Sequence, residues 1–454
     1  LDESRALGRE VRRLAIPAIL NSLLLTLVLV VDRVMLGHHA GSSLAAMQIA
    51  GPVEWTAWSL FTAFQVGTLA RVGLSVGRGD RAAATLTAQV SLGLAVVIGV
   101  VVACLTPWLL DAARWGAPRV SREVMDSARA YLSFTLASSP LVIVAATAVA
   151  TLQAAGDTRT PLVIGVGVNV VHIGLNRVFI LGAFGVPAMG ARGCGMSTAV
   201  TFALDATATV AVLALRASPV TLRGEIPGWA RVRDEARAIA KIGLPSLFER
   251  VLYHAGYLGF VAMIALLGDV PMAANQALLS IESVCYLSGD GFGVAAAALV
   301  AQSLGRGDPG ASERFARRAA EYAVLMLTAL GAVAYLLRRP LLSGFSSDPQ
   351  VFAEGLETIP VLVFAQPFMA VGIVLGQSLR GAGDSRGALA VSAAGALVVR
   401  LACTWLFAMK LGLGLPGVWL GSTCDWVARS ALLVVWGPRR LRRVAGAIRE
   451  EFAR

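Results

Sequence analysis

The chain has 454 residues, of which 56% are hydrophobic and 15% charged, and its formal net charge is +11. Soluble globular proteins carry about 25% charged residues, so this composition excludes a disordered chain, a disulfide-rich secreted domain and an ordinary soluble enzyme. At roughly 20 apolar residues per crossing, the length accommodates about a dozen transmembrane helices, and the expected class is an all-α polytopic membrane protein.

The N-terminal LDESRALGREVRRLAIPAIL is charged and runs straight into a full-length apolar span, which reads as a signal anchor with no cleavable leader. Apolar stretches between turn or charge clusters predict twelve spans: 14–36, 48–76, 83–108, 128–153, 161–183, 190–215, 238–267, 273–303, 314–337, 353–379, 387–409 and 414–437. With the N-terminus inside, Arg5, Arg9, Arg12 and Arg13 join most of the other arginines on one side. The opposite side holds only Arg114, Arg119, Arg122, Arg129, Arg192, Arg338, Arg339 and Lys410. This asymmetry predicts a multi-pass cell (inner) membrane protein with both termini cytoplasmic. The basic balance is then a matter of topology, and no nucleic-acid partner is expected.

Cofactor chemistry finds no foothold. Lys241 and Lys410 are the only lysines, and each precedes an aliphatic residue, so neither completes a phosphate-binding G-K-[ST]. Five cysteines stand singly with no C-x-x-C pair, and the four histidines (His38, His39, His172, His254) form no metal motif. No cofactor, no resident metal and no enzymatic activity are expected.

The sequence repeats itself. IPAIL at Pro17 answers LPSLF at Pro245, Gln48 answers Gln276, Glu54 answers Glu282, and GRGD at 77–80 answers GRGD at 305–308, all 228 positions apart. LQAAGDTR (152–159) answers LRGAGDSR (379–386) at 227. Each half has six spans, an even number, so the halves share one orientation and a pseudo-twofold axis along the membrane normal. The expected organisation is an N-lobe over 1–216 with spans one to six, a cytoplasmic linker over 217–237, a C-lobe over 238–437 with spans seven to twelve, and a basic cytoplasmic tail over 438–454. Two bundles of this kind rock about a central cavity in transporters.

VDRVMLG (31–37), the GRGD loops, LQAAGDTRTPLVI, LNRVFI (175–180) and PAMGARGCGMST (187–198) together resemble the multidrug and toxic compound extrusion (MATE) transporters over nearly the whole chain. The Asp-bearing first span with LPSLFE (244–249) is similar to the branch named for the DNA-damage-inducible protein F. In the sodium-driven norfloxacin-pump branch an acidic residue sits in span ten, whereas the matching AQPFMAVG (365–372) has Met369 there. The resemblance implies a V-shaped twelve-helix antiporter exporting amphipathic, often cationic compounds in exchange for protons or sodium. A monomer in the lipid bilayer is expected. Two other readings stay open: a flippase for a lipid-linked precursor of the same superfamily, and a membrane-embedded enzyme.

An ionisable side chain inside a span costs at least about 2.5–3.5 kcal/mol, so each one needs a partner or a wet cavity. Asp32, near the outer end of span one, is the first candidate for ion coupling; a salt bridge with Arg33 or another nearby arginine is the alternative. Counting rise per residue places Asn176 about 10 Å and Thr198 about 12 Å below the outer face, in the same layer as Asp32. His172 lies one turn before Asn176 on the same helix face. Family members are similar in placing Asn and Asp or Asn at these span-five positions and a Thr in span six around the cation, with sodium possible at Asp32, Asn176 and Thr198. Here an imidazole replaces an amide oxygen, which favours protons over sodium; a structural histidine bonded to a carbonyl is the alternative. Glu54 and Glu282 read as a symmetric scaffold or gate pair, and Asp205 as a residue of the cavity floor or an arginine partner. Glu249, one turn past Pro245, reads as a C-lobe cation or substrate candidate, or as a partner of Arg250, Arg400 or Arg429. Asp290 and Asp425 read as further ion-pair partners.

Overall fold

The structure is a computed structural model and describes residues 2–116, 120–215, 220–225 and 227–453. Within these, every regular element is helical. In chain order they are α1 (Asp2–His39), α2 (Gly41–Phe61), α3 (Gln65–Arg78), α4 (Arg81–Gly116), α5 (Arg122–Ala137), α6 (Ser139–Ala154), α7 (Arg159–Phe179) and α8 (Gly190–Leu215). They continue with α9 (Trp229–Ala265), α10 (Asp269–Gly305), α11 (Pro309–Leu336), α12 (Arg338–Phe345), α13 (Pro349–Gly381), α14 (Ser385–Ala393), α15 (Arg400–Thr404) and α16 (Gly414–Ala453). Two π-helical turns, Ala394–Val399 and Trp405–Lys410, flank α15 and make 385–410 one rod.

Among the described residues ten segments are long and apolar enough to cross a membrane, and α5 with α6, bent by 53°, makes an eleventh. The predicted span outside these eleven is the seventh, 238–267, which coincides with α9, whose Glu249, Arg250 and His254 lower its hydropathy. The fold is the expected all-α polytopic one. Span two is interrupted between α2 and α3, and span four bends where Pro140, in the first turn of α6, lacks the N–H that would continue α5. The short α12 lies between predicted spans.

The repeated loop motifs have a shared physical role. In both GRGD copies the second glycine (Gly79, Gly307) adopts a φ of 76°, which ends one helix. The following aspartate caps the next: Asp80 accepts from Ala83 N at 2.9 Å and Asp308 from Ala311 N at 2.7 Å. Each motif stops a helix and restarts the chain in the opposite direction within four residues.

The chain divides into two compact units, one of Leu23–Lys241 (the N-unit) and one of Leu1–Ser22 with Ile242–Arg454 (the C-unit). The change of unit therefore falls inside two continuous helices, α1 and α9. The opening turns of α1 pack with the C-unit, where Arg12 donates to the Tyr322 hydroxyl at 3.1 Å and Gly291 backs onto Ile19. The opening turns of α9 pack with the N-unit, where Arg71 grips Glu235 through Nε at 2.7 Å and Nη2 at 2.5 Å, and Thr87 donates to the same carboxylate at 2.6 Å. Of the predicted linker, 217–219 and 226 lie outside the described residues; its last part is already α9. The predicted tail continues α16, pinned by Arg440 on Asp384 and Arg442 on Glu313.

A methyl group at Gly291 would sit 2.7 Å from Ile19 N and 2.8 Å from its Cα, both backbone atoms. Gly291→Ala is therefore expected to cost about 1–3 kcal/mol by overpacking. Thermal unfolding of the purified protein in detergent reads this as a lower midpoint; an unchanged midpoint would mean that α1 does not pack on α10 this closely.

Candidate functional site

Three helices of the N-unit bring the polar layer together. On α7, His172 and Asn176 are four residues apart and share a face; on α8, Ser197 and Thr201 do the same. Asp32 on α1 meets them. The side chains are almost fully enclosed, with relative exposures of 8% for Asp32, 2% for His172 and 0% for Asn176. His172 Nε2 lies 2.9 Å from Asp32 Oδ1, and Asn176 Nδ2 donates to that oxygen at 2.5 Å. On the other side of the ring, Nδ1 lies 2.9 Å from Thr201 Oγ1 and 3.3 Å from Ser197 Oγ.

Two acceptors do not sit 2.9 Å apart without a hydrogen between them, so one proton lies between Asp32 Oδ1 and His172 Nε2. Asn176 Nδ2 also lies 3.1 Å from Nε2. Thr201 Oγ1 and Ser197 Oγ reach backbone carbonyls as well as Nδ1, so the ring can carry its hydrogen on either nitrogen. Among the described residues Asn176 Oδ1 is buried with no hydrogen-bond partner.

The predicted layer of Asp32, His172 and Asn176 thus forms one bonded cluster. Thr198 is not drawn into it among the described residues: its hydroxyl turns back to Cys194 O at 2.9 Å, and the hydroxyls that reach His172 are its neighbours Ser197 and Thr201. The signal for them was present, a pair of hydroxyl residues spaced one turn apart on either side of Thr198. Arg33 is not the partner of Asp32 among the described residues. Asp205, one turn beyond Thr201, is half-buried and stays outside the cluster.

Glu54 accepts from the Tyr131 hydroxyl at 2.8 Å and lines a small cavity of about 20 Å³ within the N-unit, room for about one water molecule. Trp58, Phe61 and Phe202 supply aromatic walls, with the Trp58 and Phe202 rings 5.8 Å apart. Two donors at this cavity, Trp58 Nε1 and Thr135 Oγ1, are buried without a partner.

The C-unit handles its charges differently. Glu249 accepts from Arg380 Nε at 3.1 Å, from a second Arg380 nitrogen, and from Ser392 Oγ at 2.5 Å; of the three arginines considered from sequence, Arg250 lies within electrostatic reach. Asp290 accepts from Gln377 Nε2 at 3.0 Å. Asp425, with no exposed surface, is held by Arg400 Nε at 2.9 Å, Arg429 Nε at 2.5 Å and Arg429 Nη2 at 2.7 Å. Glu282 lies within electrostatic reach of Arg400. In the C-unit Glu249 and Asp425 are bonded by guanidinium groups, and Asp290 and Glu282 have arginines within electrostatic reach, whereas the N-unit's Asp32 and Glu54 are met by an imidazole, an amide and a phenol.

The sequence model of the MatE family matches residues 17–178 and again 245–406. Among curated relatives, the probable multidrug resistance protein NorM of Thermotoga maritima is 27% identical over 436 residues, covering 96% of this chain and 93% of that protein. The multidrug resistance protein PmpM of Pseudomonas aeruginosa is also 27% identical, covering 96% and 87%. Among solved structures, a multidrug resistance MATE family transporter of the MOP superfamily in an outward-facing conformation superposes with a TM-score of 0.88 at 20% identity, covering 96% of both chains. A MOP superfamily transporter from Pyrococcus furiosus, described as having a binding pocket of reversed polarity, gives a TM-score of 0.88 at 19% identity over 96% of both chains.

Proposed function

Because the chain belongs to the MatE family of membrane transporters, we propose that it is a secondary active multidrug efflux antiporter that exports amphipathic cationic compounds in exchange for protons. The observation that carries this reading is the single proton required between Asp32 Oδ1 and His172 Nε2. With a proton on Asp32, or a second one on the imidazole, the cluster is electrically neutral. When it leaves, Asp32 remains as a carboxylate held by the Asn176 amide, an anion in a low-dielectric interior that attracts a positive charge. A cationic compound and a proton then compete for the same negative charge, which is the elementary requirement for exchange by alternating access.

Two carboxyl groups of the N-unit interior support the cationic substrate class: Asp32, met by an imidazole and an amide, and Glu54, met by a phenol. Matched charges in the C-unit argue against an anionic lipid-linked cargo, which needs unpaired basic groups. Orientation with both termini cytoplasmic belongs to the same proposal and rests on the distribution of arginines; placement in the inner membrane and a monomeric state are part of it too. So does the branch assignment, which rests on Asp32 in α1 and on buried Met369 in α13. Sodium is the second reading: Asn176 Oδ1 has no partner and would supply a hard oxygen beside Asp32 and Thr198.

The test is dye movement in proteoliposomes under an imposed pH or sodium gradient. A cationic dye such as ethidium is expected to accumulate on the acidic side under a pH gradient and to ignore a sodium gradient. His172→Asn, which replaces the imidazole by an amide, is expected to weaken the pH dependence. Accumulation driven by sodium alone and indifferent to pH would overturn proton exchange.

A further inference from the structure

The two repeats correspond residue by residue, and the correspondence leads from the N-unit cluster to a position in the C-unit. Asp157 caps α7 through Thr160 N at 2.9 Å, and Asp384 caps α14 through Gly387 N at 3.0 Å, a spacing of 227. The π-helical turn Ala394–Val399 accommodates one extra residue, so beyond it the spacing becomes 228. The packing agrees: Gly193 backs onto the Phe179–Ile180 peptide as Gly417 backs onto Phe407–Ala408. Gly190 and Gly414, with φ of 54° and 57°, open α8 and α16, which therefore correspond at a spacing of 224.

By these spacings Arg400 stands where His172 stands, Asp425 where Thr201 stands, and Phe260 where Asp32 stands. The contacts recur with different chemistry. His172 Nδ1 meets Thr201 Oγ1 at 2.9 Å, and Arg400 Nε meets Asp425 Oδ2 at 2.9 Å. His172 Nε2 faces Asp32, and the Arg400 guanidinium lies over the Phe260 ring at 5.7 Å. Arg429, where the N-unit has Asp205, adds two more bonds to Asp425.

We propose that Arg400 is a built-in cation that permanently fills the C-unit's copy of the N-unit site. A guanidinium does not lose its proton in proteins, and the aspartate of this copy is committed to two of them. Arg400 acts as a positioning residue that ties α15 to α16 at every pH, while the N-unit copy is the exchangeable one. That each cycle exchanges one cation follows only if the antiport reading holds; the constitutive tie does not depend on transport. The charged and titratable groups that face Arg400 are Asp425 and Arg429 on α16, Glu282 on α10, and Tyr253 and Tyr257 on α9.

Hydrogen–deuterium exchange of the purified protein tests this directly, with peptides of α14–α16 followed at about pH 6 and about pH 8, corrected for intrinsic rates, in a Glu282→Gln background. With Arg400 present, protection is expected to change by less than about twofold between the two conditions. Arg400→His keeps the Asp425–Arg429 pair but makes the charge titratable, and is expected to lower protection by about tenfold at the higher pH. A large pH response with Arg400 in place, or a flat response in Arg400→His, overturns the proposal. Should Arg400→His not fold, proton release on ethidium binding by the unsubstituted protein decides: one proton per dye is expected, and two would mean that the C-unit copy also exchanges. An absence of pH-driven transport, with the α14–α16 result intact, would sink the antiport reading and leave the tie standing.

Discussion

Asp32→Asn is expected to abolish uphill dye movement while leaving the protein folded. A pH difference of two units is worth about 2.7 kcal/mol, enough for a roughly 100-fold dye gradient in a one-for-one exchange. Asparagine cannot release a proton, so the variant is expected to support no such gradient. The direction follows from the chemistry: protons enter from the acidic side as the compound leaves toward it, and without a group that alternates between charged and neutral the two fluxes separate. An amide at position 32 can donate to His172 Nε2 or accept from it, whichever tautomer the ring adopts, so the buried cluster stays satisfied and stability is expected to change by less than about 1.5 kcal/mol. Dye uptake into acid-loaded proteoliposomes, read beside thermal unfolding, separates lost coupling from lost fold. Gradient formation at the parent level by Asp32→Asn would remove Asp32 from the coupling step.

The layer that holds Asp32, His172 and Asn176 was legible because depth is a one-dimensional quantity: rise per residue and span direction place three side chains at one height. Azimuth is harder. Ser197, Thr198 and Thr201 lie within one turn of α8, and only packing against α7 selects the outer two for His172 while Thr198 bonds its own helix. The partner of Glu249 escaped for a different reason. Arg380 falls just past the predicted end of span ten at 379, but α13 continues to Gly381 and keeps Arg380 on a helical face toward α9. The repeat itself was plain in the loop motifs, because GRGD and AGD must supply a left-handed glycine and a capping aspartate at the same places in both halves. Its drop in spacing from 228 to 227 marks one residue more in the N-half between 80 and 152, and the π-helical turn just before Arg400 adds one to the C-half and restores 228. The exchange of the opening turns of α1 and α9 between units left no trace in hydropathy, since each is a continuous helix across the change.

Asp425→Asn and Glu54→Gln are chemically similar substitutions in the two halves, and their effects are expected to differ several-fold. Asp425 is fully buried, and the Arg400 and Arg429 side chains around it are each only 8% exposed. Removing its charge leaves two guanidinium groups out of water with no anion between them, and asparagine turns an NH₂ toward one of them. Breaking a buried ion pair in this way costs about 3–5 kcal/mol. Glu54 meets a neutral donor, the Tyr131 hydroxyl. Glutamine retains a carbonyl for that bond, so the cost is that of a modest change in one hydrogen bond, below about 1.5 kcal/mol. Unfolding midpoints of the two purified variants measure the contrast directly, with Asp425→Asn far below the parent and Glu54→Gln close to it. Equal midpoints would mean that the C-unit's arginines find other anions when Asp425 is gone, and that its matched charges do not make it the fixed half. A large gap ties the difference between the halves to ionic bonds on one side and neutral hydrogen bonds on the other, which is the asymmetry an exchanger needs if only one half is to change its charge.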